Sequence, residues 1–230
     1  MRQPDKPAER AAGGVEGWLT ENEGALLYRL ARDCPESAAI VEIGSYRGRS
    51  TIRLARGSRA GNRSKIYAVD PHRSEPDNYS LLRKNLTAAG VDDMVVPIRK
   101  TSVEAAAGFK APVGLIFIDG AHEYDPVLAD YEAWFPRVID GGVLAFHDTI
   151  TPGWGSTRLV RERIYRSRYF RRIGLVDSIT YGEKAAAITA KDTIRNRYLL
   201  LLNYIYSAAL TVPVPSAVRK LGKVIVKKIQ

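Results

Sequence analysis

Cysteine is nearly absent from this chain of 230 residues, and no apolar stretch stands near its N-terminus. The one cysteine, Cys34, cannot form an internal disulfide, which argues against the disulfide framework of small secreted proteins. Residues 1–17 are polar and small, unlike the apolar core of a signal peptide. We therefore expect a cytoplasmic protein.

Acidic residues are scarce in the last third of the chain. Residues 151–230 carry 16 Lys or Arg and 4 Asp or Glu, whereas residues 1–150 carry 19 and 21. This asymmetry predicts a polyanionic partner for the last third, and the alternative is a solvated basic face. An anionic membrane is favoured over nucleic acid, because the cations are interleaved with aliphatic side chains rather than with stacking aromatics.

Short apolar segments alternate with helical patterns, and the 45% hydrophobic content is ample for a core. The predicted strands are 39–43, 65–70, 94–98, 113–119, 143–146, 172–176 and 185–189. The predicted helices are 22–32, one from about 50, 78–89, a short one from 102, 125–138 and 156–169. This order predicts an α/β fold with a doubly wound, mostly parallel, seven-stranded Rossmann-like sheet, an antiparallel C-terminal strand pair and a helical tail. We expect a lead-in (1–21), one domain (22–190) and a basic, apolar tail (191–230).

The segment 38–55 is a strand, a sharp turn at Gly44 and Gly48, and a helix for which Ser50 and Thr51 offer capping oxygens. It lacks the G-x-G-x-x-G pattern of a pyrophosphate cradle, so a nucleoside without phosphates fits better. Asp70 ends the next predicted strand, where a carboxylate can accept both hydroxyls of a ribose. The alternative for Asp70 is a turn-forming role before a proline.

Further polar residues stand where the other predicted parallel strands end. Ligands of doubly wound sheets bind beyond these carboxyl ends, so we expect the residues to share one site. They are Glu42, Ser45, Asp70, Ser102, Asp119, His122, His147 and Asp148.

Four motifs in order, E-I-G-S-Y-R-G-R-S, V-D-P-H, F-I-D-G-A-H and G-G-V-L-A-F-H-D, give the chain a family resemblance. It resembles the class I S-adenosylmethionine-dependent methyltransferases over about residues 22–190. More closely, it is similar to the catechol O-methyltransferase type and to relatives of macrocin O-methyltransferase and cephalosporin hydroxylase. The resemblance implies that the cofactor S-adenosylmethionine is surrounded by Glu42, Gly44, Ser45, Tyr46, Gly48, Ser50, Asp70, His72, Thr101, Ser102 and Asp119.

The resemblance also implies a metal site and a base. Asp119, His147 and Asp148 take the positions at which metal-dependent members bind magnesium, and the imidazole makes manganese, iron or zinc equally suitable. His122 takes the place of the catalytic lysine of the catechol enzyme, and Asp119 and His122 are the expected catalytic residues. The alternatives are that His147 bonds nearby backbone, that Asp148 caps a turn and that His122 is a surface loop residue.

The tail has a separate pattern. Residues 198–218 carry no charge and are followed by Arg219, Lys220, Lys223, Lys227 and Lys228. Asn203, Pro213 and Pro215 disfavour a membrane span, so we expect an interfacial helix on the inner face of an anionic membrane. The alternative is a helix that packs on the domain or on a second subunit of a homo-oligomer.

The sequence thus predicts an O-methyltransferase whose acceptor is a hydroxyl of a sugar, glycolipid or other small-molecule secondary metabolite. Two alternatives stay open. One is an enzyme of the same fold with another reaction, as in the hydroxylase-related branch. The other is a membrane-tethered binding module without catalysis.

Overall fold

The computed structural model describes residues 14–73 and 77–211, which form a seven-stranded sheet with helices on both faces. The strands are β1 (Ala39–Ile43), β2 (Ile66–Val69), β3 (Val95–Ile98), β4 (Val113–Ile118), β5 (Val138–Phe146), β6 (Phe170–Val176) and β7 (Ile179–Lys184). The helices are α1 (Glu21–Arg32), α2 (Arg49–Ala60), α3 (Asn78–Ala88), α4 (Ser102–Gly108), α5 (Tyr124–Trp134), α6 (Gly155–Leu159) and α7 (Ala190–Thr211).

The strand order is β3-β2-β1-β4-β5-β7-β6, and β1 to β5 pair in parallel. β7 runs antiparallel to both of its neighbours, β5 and β6. The predicted fold class is therefore confirmed, including the antiparallel C-terminal pair and the C-terminal helix. Because parallel strands point the same way, the residues that follow β1, β2, β4 and β5 meet at one edge of the sheet.

Two buried clusters lie on opposite faces of the sheet. One cluster includes side chains of α1, α2 and α3, and the other includes side chains of α4, α5, α6 and α7. All residues of β1 and β4 are buried, as expected for central strands covered on both faces. This sandwich holds the carboxyl edge of the sheet in a fixed geometry.

The predicted helix 125–138 is too long, because it runs through the start of β5. Helix α5 ends at Trp134, a 3₁₀ turn covers Phe135–Arg137, and β5 begins at Val138. Pro136 lies in that turn, where a missing N–H costs little. Gly141 and Gly142 lie within β5, where the pairing register with β4 shifts.

The C-terminal elements also differ from the prediction. The helix expected over 156–169 ends at Ile164, since α6 continues only as a π-helical turn, Val160–Ile164. The strand predicted at 185–189 lies instead at Ile179–Lys184, and only Asp177 and Ser178 separate it from β6. The small apolar residues at 185–189 suggested a strand, but they form the connection between β7 and α7.

The two capping residues predicted for α2 are wrong. Gly48, in a left-handed conformation, precedes α2, and neither Ser50 nor Thr51 caps it. Glu123 precedes α5 and makes no side-chain capping bond.

The predicted lead-in and tail lie partly outside the described residues, namely at 1–13 and at 212–230, which include the five cations after the uncharged stretch. The domain limits stay a prediction. Across residues 14–73 and 77–211, none of the helices combines the length and the apolar character that crossing a membrane requires.

Candidate active site

The loop between β1 and α2 forms one wall of the site. Gly44, Tyr46 and Gly48 all have positive φ angles, 88°, 44° and 91°, so the backbone reverses direction within five residues. A Cβ atom at Gly44 would stand 2.1 Å from the carbonyl oxygen of Asp119, so only glycine fits there. The loop is thereby pressed against the end of β4.

Asp70 joins this loop to the end of β2. Its Oδ2 accepts a hydrogen bond from the Tyr46 N–H at 2.9 Å, and its Oδ1 accepts one from the His72 N–H at 2.8 Å. The carboxylate remains partly exposed on the wall of a cavity. Its free lone pairs can still accept the hydroxyls of a ribose.

Glu42 lies beneath the loop and is fully buried. The Thr51 hydroxyl donates to its Oε2 at 2.5 Å, and Ser50 also bonds to the carboxyl group. Its Oε1 has no partner among the described residues. Burial raises the pKa of Glu42 to about 7, even though the bonds from Ser50 and Thr51 lower it.

The cavity at the carboxyl edge has a volume of about 780 Å³, within the usual range for small-molecule sites. The predicted residues on its wall are Gly44, Ser45, Tyr46, Ser50, Asp70, Thr101, Ser102, Asp119, His122, His147 and Asp148. Glu42, Gly48 and His72 do not line it. The fold therefore gathers most of the predicted site around one cavity.

Three of the residues expected around the cofactor, Thr101, Ser102 and His72, also contact other protein groups. Thr101 caps α4 in a capping box with Glu104, and Ser102 accepts a hydrogen bond from the buried Trp134 indole. Both line the cavity. The His72 ring instead lies beneath the wall, with Nε2 3.5 Å from Ser45 Oγ. Burial lowers the pKa of His72.

His147 is the centre of a buried charge cluster. Its Nδ1 lies 3.1 Å from Asp119 Oδ1 and 3.1 Å from Asp148 Oδ2, and its Nε2 lies 3.5 Å from Glu23 Oε2. Burial lowers the pKa of His147, but hydrogen bonds to the three carboxylates outweigh burial and raise it well above its usual value. The ring nitrogens face carboxylates rather than the strand backbone.

Asp119, His147 and Asp148 also offer ligand atoms that suit a divalent cation. One ligand atom each from Asp119, His147 and Asp148 can be chosen so that all three lie within 4.8 Å of one another. For a cation to bind, Nδ1 must give up the proton that it directs at Asp119 and Asp148, while Glu23 holds the proton on Nε2, an arrangement common behind metal-bound histidines. Carboxylate oxygens and an imidazole nitrogen suit magnesium, manganese, iron or zinc.

His122 lies beside this cluster and is half exposed. Its ring stacks on Trp154, with centroids 4.1 Å apart, and its Nδ1 is 4.0 Å from Asp148 Oδ2. Asp148 is held by its own carbonyl, which accepts hydrogen bonds from Ser156 and Thr157. An imidazole beside a carboxylate in an open cavity can take up a proton.

Glu23 and Trp154 are functional candidates that the sequence did not reveal. Glu23 stands in the pattern Thr20-x-x-Glu23, which indicates a capping box and hides a second contact with His147. Trp154 follows Gly153 in a loop without a recognisable pattern. In neither case does the local sequence indicate which distant residue the side chain contacts.

Residues 41–149 match a family model described as a methyltransferase domain. Over these residues the chain is similar to methyltransferases. The catechol O-methyltransferase of Mycobacterium tuberculosis is 32% identical over 141 residues, which are 60% of this chain and 59% of that protein. The predicted resemblance to the catechol O-methyltransferase type is thereby confirmed. The chain matches less than two thirds of the length of this relative.

Solved structures share the fold of the methyltransferase domain. TomG, an O-methyltransferase of tomaymycin synthesis from Streptomyces achromogenes, superposes with a TM-score of 0.59 at 19% identity, covering 78% of this chain and 86% of its own. CalS11, a TDP-rhamnose 3'-O-methyltransferase of calicheamicin biosynthesis, superposes with a TM-score of 0.56 at 20% identity, covering 70% and 76%. At these identities the likeness concerns the fold.

Proposed function

We propose that this chain transfers the methyl group of S-adenosylmethionine to a hydroxyl group of an acceptor. The observation that carries the proposal is the position of Asp70 and of the Asp119, His122 and Asp148 group on the wall of one cavity. Asp70 would bind the ribose, and the Gly44–Gly48 loop would surround the methionine part. TomG was solved in complex with SAM, which supports this choice of cofactor.

The reaction requires an in-line attack. The acceptor oxygen attacks the sulfonium methyl, the C–O bond forms as the C–S bond breaks, and S-adenosylhomocysteine leaves as a neutral thioether. The hydroxyl proton passes to His122, which Trp154 orients by stacking. A divalent cation held by Asp119, His147 and Asp148 would stabilise the developing negative charge on the acceptor oxygen.

A sugar, a glycolipid or another secondary metabolite is the acceptor we propose. The fold is shared with CalS11, whose acceptor is a nucleotide sugar, and with TomG, which acts in natural-product synthesis. The open cavity is large enough for a cofactor and a second ligand.

A peripheral position on an anionic membrane is part of the same proposal. Helix α7 buries one face, and on the opposite face Ile194, Tyr198, Leu201 and Ile205 are between 44% and 71% exposed. Their spacing of four, three and four residues places them on one stripe, which we call the α7 stripe. The basic composition of residues 151–230 complements an anionic lipid surface, and a glycolipid acceptor would be reached there.

The first test is cofactor binding measured by calorimetry. We expect the full chain to bind S-adenosylmethionine and Asp70→Asn to bind it roughly tenfold more weakly, because hydrogen bonds to a charged acceptor are lost. Asp92→Asn, on an exposed turn, is the matched control and should bind normally. Absence of cofactor binding to the unchanged chain would refute methyl transfer.

Turnover is tested with a labelled methyl group and a panel of hydroxylated acceptors. Asp119→Asn should abolish transfer, and a chelator should do so only if a cation takes part. Activity that survives chelation would remove the cation from the mechanism and leave the methyl transfer in place. Cofactor binding without transfer to any acceptor would favour the non-catalytic module.

A further inference from the structure

A second cavity, of about 330 Å³, adjoins the main one and is lined by arginines. We call it the arginine cavity. Its wall is formed by three arginines, three aromatic residues and two carboxylates, with three small residues: Arg158, Arg161, Arg166, Tyr124, Trp154, Tyr204, Glu123, Glu162, Gly153, Gly155 and Thr157. Trp154 lines both cavities, so the two spaces are neighbours.

Aromatic rings hold two of the guanidinium groups in place. Arg158 lies 4.0 Å from the centre of the Tyr124 ring, and Arg161 lies 4.1 Å from the centre of the Tyr204 ring on α7. Stacking of this kind fixes the plane of the guanidinium and leaves its edge for hydrogen bonds. The edge of an arginine pairs well with two oxygens of a phosphate.

Arg161 has an unused donor. Its Nε donates to Asn203 Oδ1 at 2.7 Å, but its Nη2 is buried and finds no hydrogen-bond partner in the part of the chain that the structure describes. A buried N–H without a partner costs free energy, which a bound anion would recover.

The charges around the arginine cavity are not balanced. Glu162 is engaged by the Tyr124 hydroxyl at 2.6 Å and by Arg158 Nε at 2.9 Å. Glu123 then faces two arginines, Arg161 and Arg166, and Arg166 forms no ion pair within residues 14–73 and 77–211. The net charge favours an anionic ligand.

We propose that the arginine cavity binds a phosphate or pyrophosphate group of the acceptor. The acceptor would lie across Trp154, with its anionic group among the arginines and its hydroxyl near His122, on which Trp154 stacks. This inference rests on the proposed methyl transfer and narrows the acceptor to a phosphorylated one. A soluble sugar phosphate and a lipid headgroup present the same phosphate chemistry.

The test uses inorganic pyrophosphate as the probe, titrated into the full chain by calorimetry. We expect saturable binding that weakens about three- to tenfold in Arg166→Gln and in Arg161→Lys, because a charged donor or its forked geometry is lost. Arg163→Gln is the matched control, since Arg163 lies on the same segment, makes an ion pair with Glu132 and does not line the cavity. It should bind pyrophosphate like the unchanged chain.

Two results would overturn the inference. One is the absence of pyrophosphate binding to the unchanged chain. The other is an equal loss of pyrophosphate affinity in Arg163→Gln, which would mean that the cations attract pyrophosphate without a specific site. Arg166 is exposed, so its variant reports on binding even if Arg161→Lys unfolds. S-Adenosylmethionine binding is measured on the same samples, so a failure of methyl-donor binding is separate from a failure of anion binding.

The source of the phosphate is decided with vesicles. Arg166→Gln should reduce binding to phosphatidylglycerol vesicles if a lipid headgroup is the natural ligand. It should leave vesicle binding unchanged, while still weakening pyrophosphate binding, if the acceptor is a soluble phosphate ester. Either result supports the arginine cavity as a phosphate site.

Discussion

The environment of Glu42 disfavours the ionised form of its carboxyl group. Its carboxyl is fully buried, Oε1 lacks a described partner and two like charges, Asp119 and Asp70, raise its pKa further. A group of this kind destabilises the folded chain once it ionises.

Replacing Glu42 by Gln should increase stability in a pH-dependent way. The pKa of Glu42 is about 7 in the folded chain and near its ordinary value, 4.5, in the unfolded chain. The folded state therefore loses stability as pH rises from about 4.5 through 7, by about 3 kcal/mol, and Glu42→Gln should avoid this loss. Urea unfolding at pH 5 and pH 8 measures it.

The control for this experiment is Glu36→Gln, the same change at an exposed position. This variant should change the free energy of unfolding only slightly, and by the same amount at pH 5 and at pH 8. A gain for Glu42→Gln that is the same at pH 5 and pH 8 would contradict the assignment of the raised pKa to Glu42.

Helix α1 is the element that connects the chain's N-terminal part to the active site. Glu23 accepts hydrogen bonds from the Thr20 N–H, from the Ser178 N–H and from the Ser178 hydroxyl, and it faces His147. Ser178 lies in the turn between β6 and β7. One buried carboxylate thus joins α1, the antiparallel strand pair and the charge cluster.

Glu23→Gln should lower both stability and turnover. Loss of the charged acceptor costs about 1–3 kcal/mol, so the midpoint of thermal unfolding should fall by several degrees. Because Glu23 does not line the main cavity, the affinity for S-adenosylmethionine should change little while kcat falls. Thermal unfolding, calorimetry and single-turnover rates test this, with Glu36→Gln as the control. A weaker cofactor affinity at unchanged kcat would contradict the inference that Glu23 acts through its contact with His147.

The arrangement of the whole molecule couples α7 to the site. Asn203 on α7 donates to the Thr149 carbonyl, directly after Asp148, and accepts from Arg161. The opposite face of the helix carries the α7 stripe. Helix α7 therefore stands between the stripe and the loop that follows Asp148, and contacts that loop directly through Asn203.

The membrane proposal predicts co-sedimentation of the chain with vesicles that contain phosphatidylglycerol. Leu201→Glu with Ile205→Glu should reduce binding at least about tenfold, because apolar burial is replaced by charge repulsion. Val96→Glu with Val103→Glu changes two exposed apolar residues outside α7 and should bind normally.

Light scattering on the same variants tests the competing interpretation of the α7 stripe. A dimer of the unchanged chain that dissociates in the α7 double variant, together with no vesicle binding, would make the stripe a subunit interface. The membrane proposal would then be wrong.

The sequence alone determined the parallel part of the sheet. Runs such as 39–43 and 113–119 are too short and too apolar for exposed helices, and they coincide closely with β1 and β4. Convergence of Asp70, Asp119 and Asp148 follows, because parallel strands bring their carboxyl ends to one edge. The polar side chains at the strand ends could therefore be predicted to share one cavity wall, whereas Trp18, Arg49 and Trp154 on the same wall could not.

Only the tertiary structure decided which distant groups meet. Glu23 and His147 are 124 residues apart, and Thr51 bonds to Glu42 instead of capping its own helix. Local sequence patterns predict hydrogen bonds between residues that are close in the chain. A buried polar atom instead bonds to the group that tertiary packing places beside it. For that reason the sequence predicted the group of Asp119, His147 and Asp148, while the contact of Glu23 with His147 and the arginine cavity emerged from the fold.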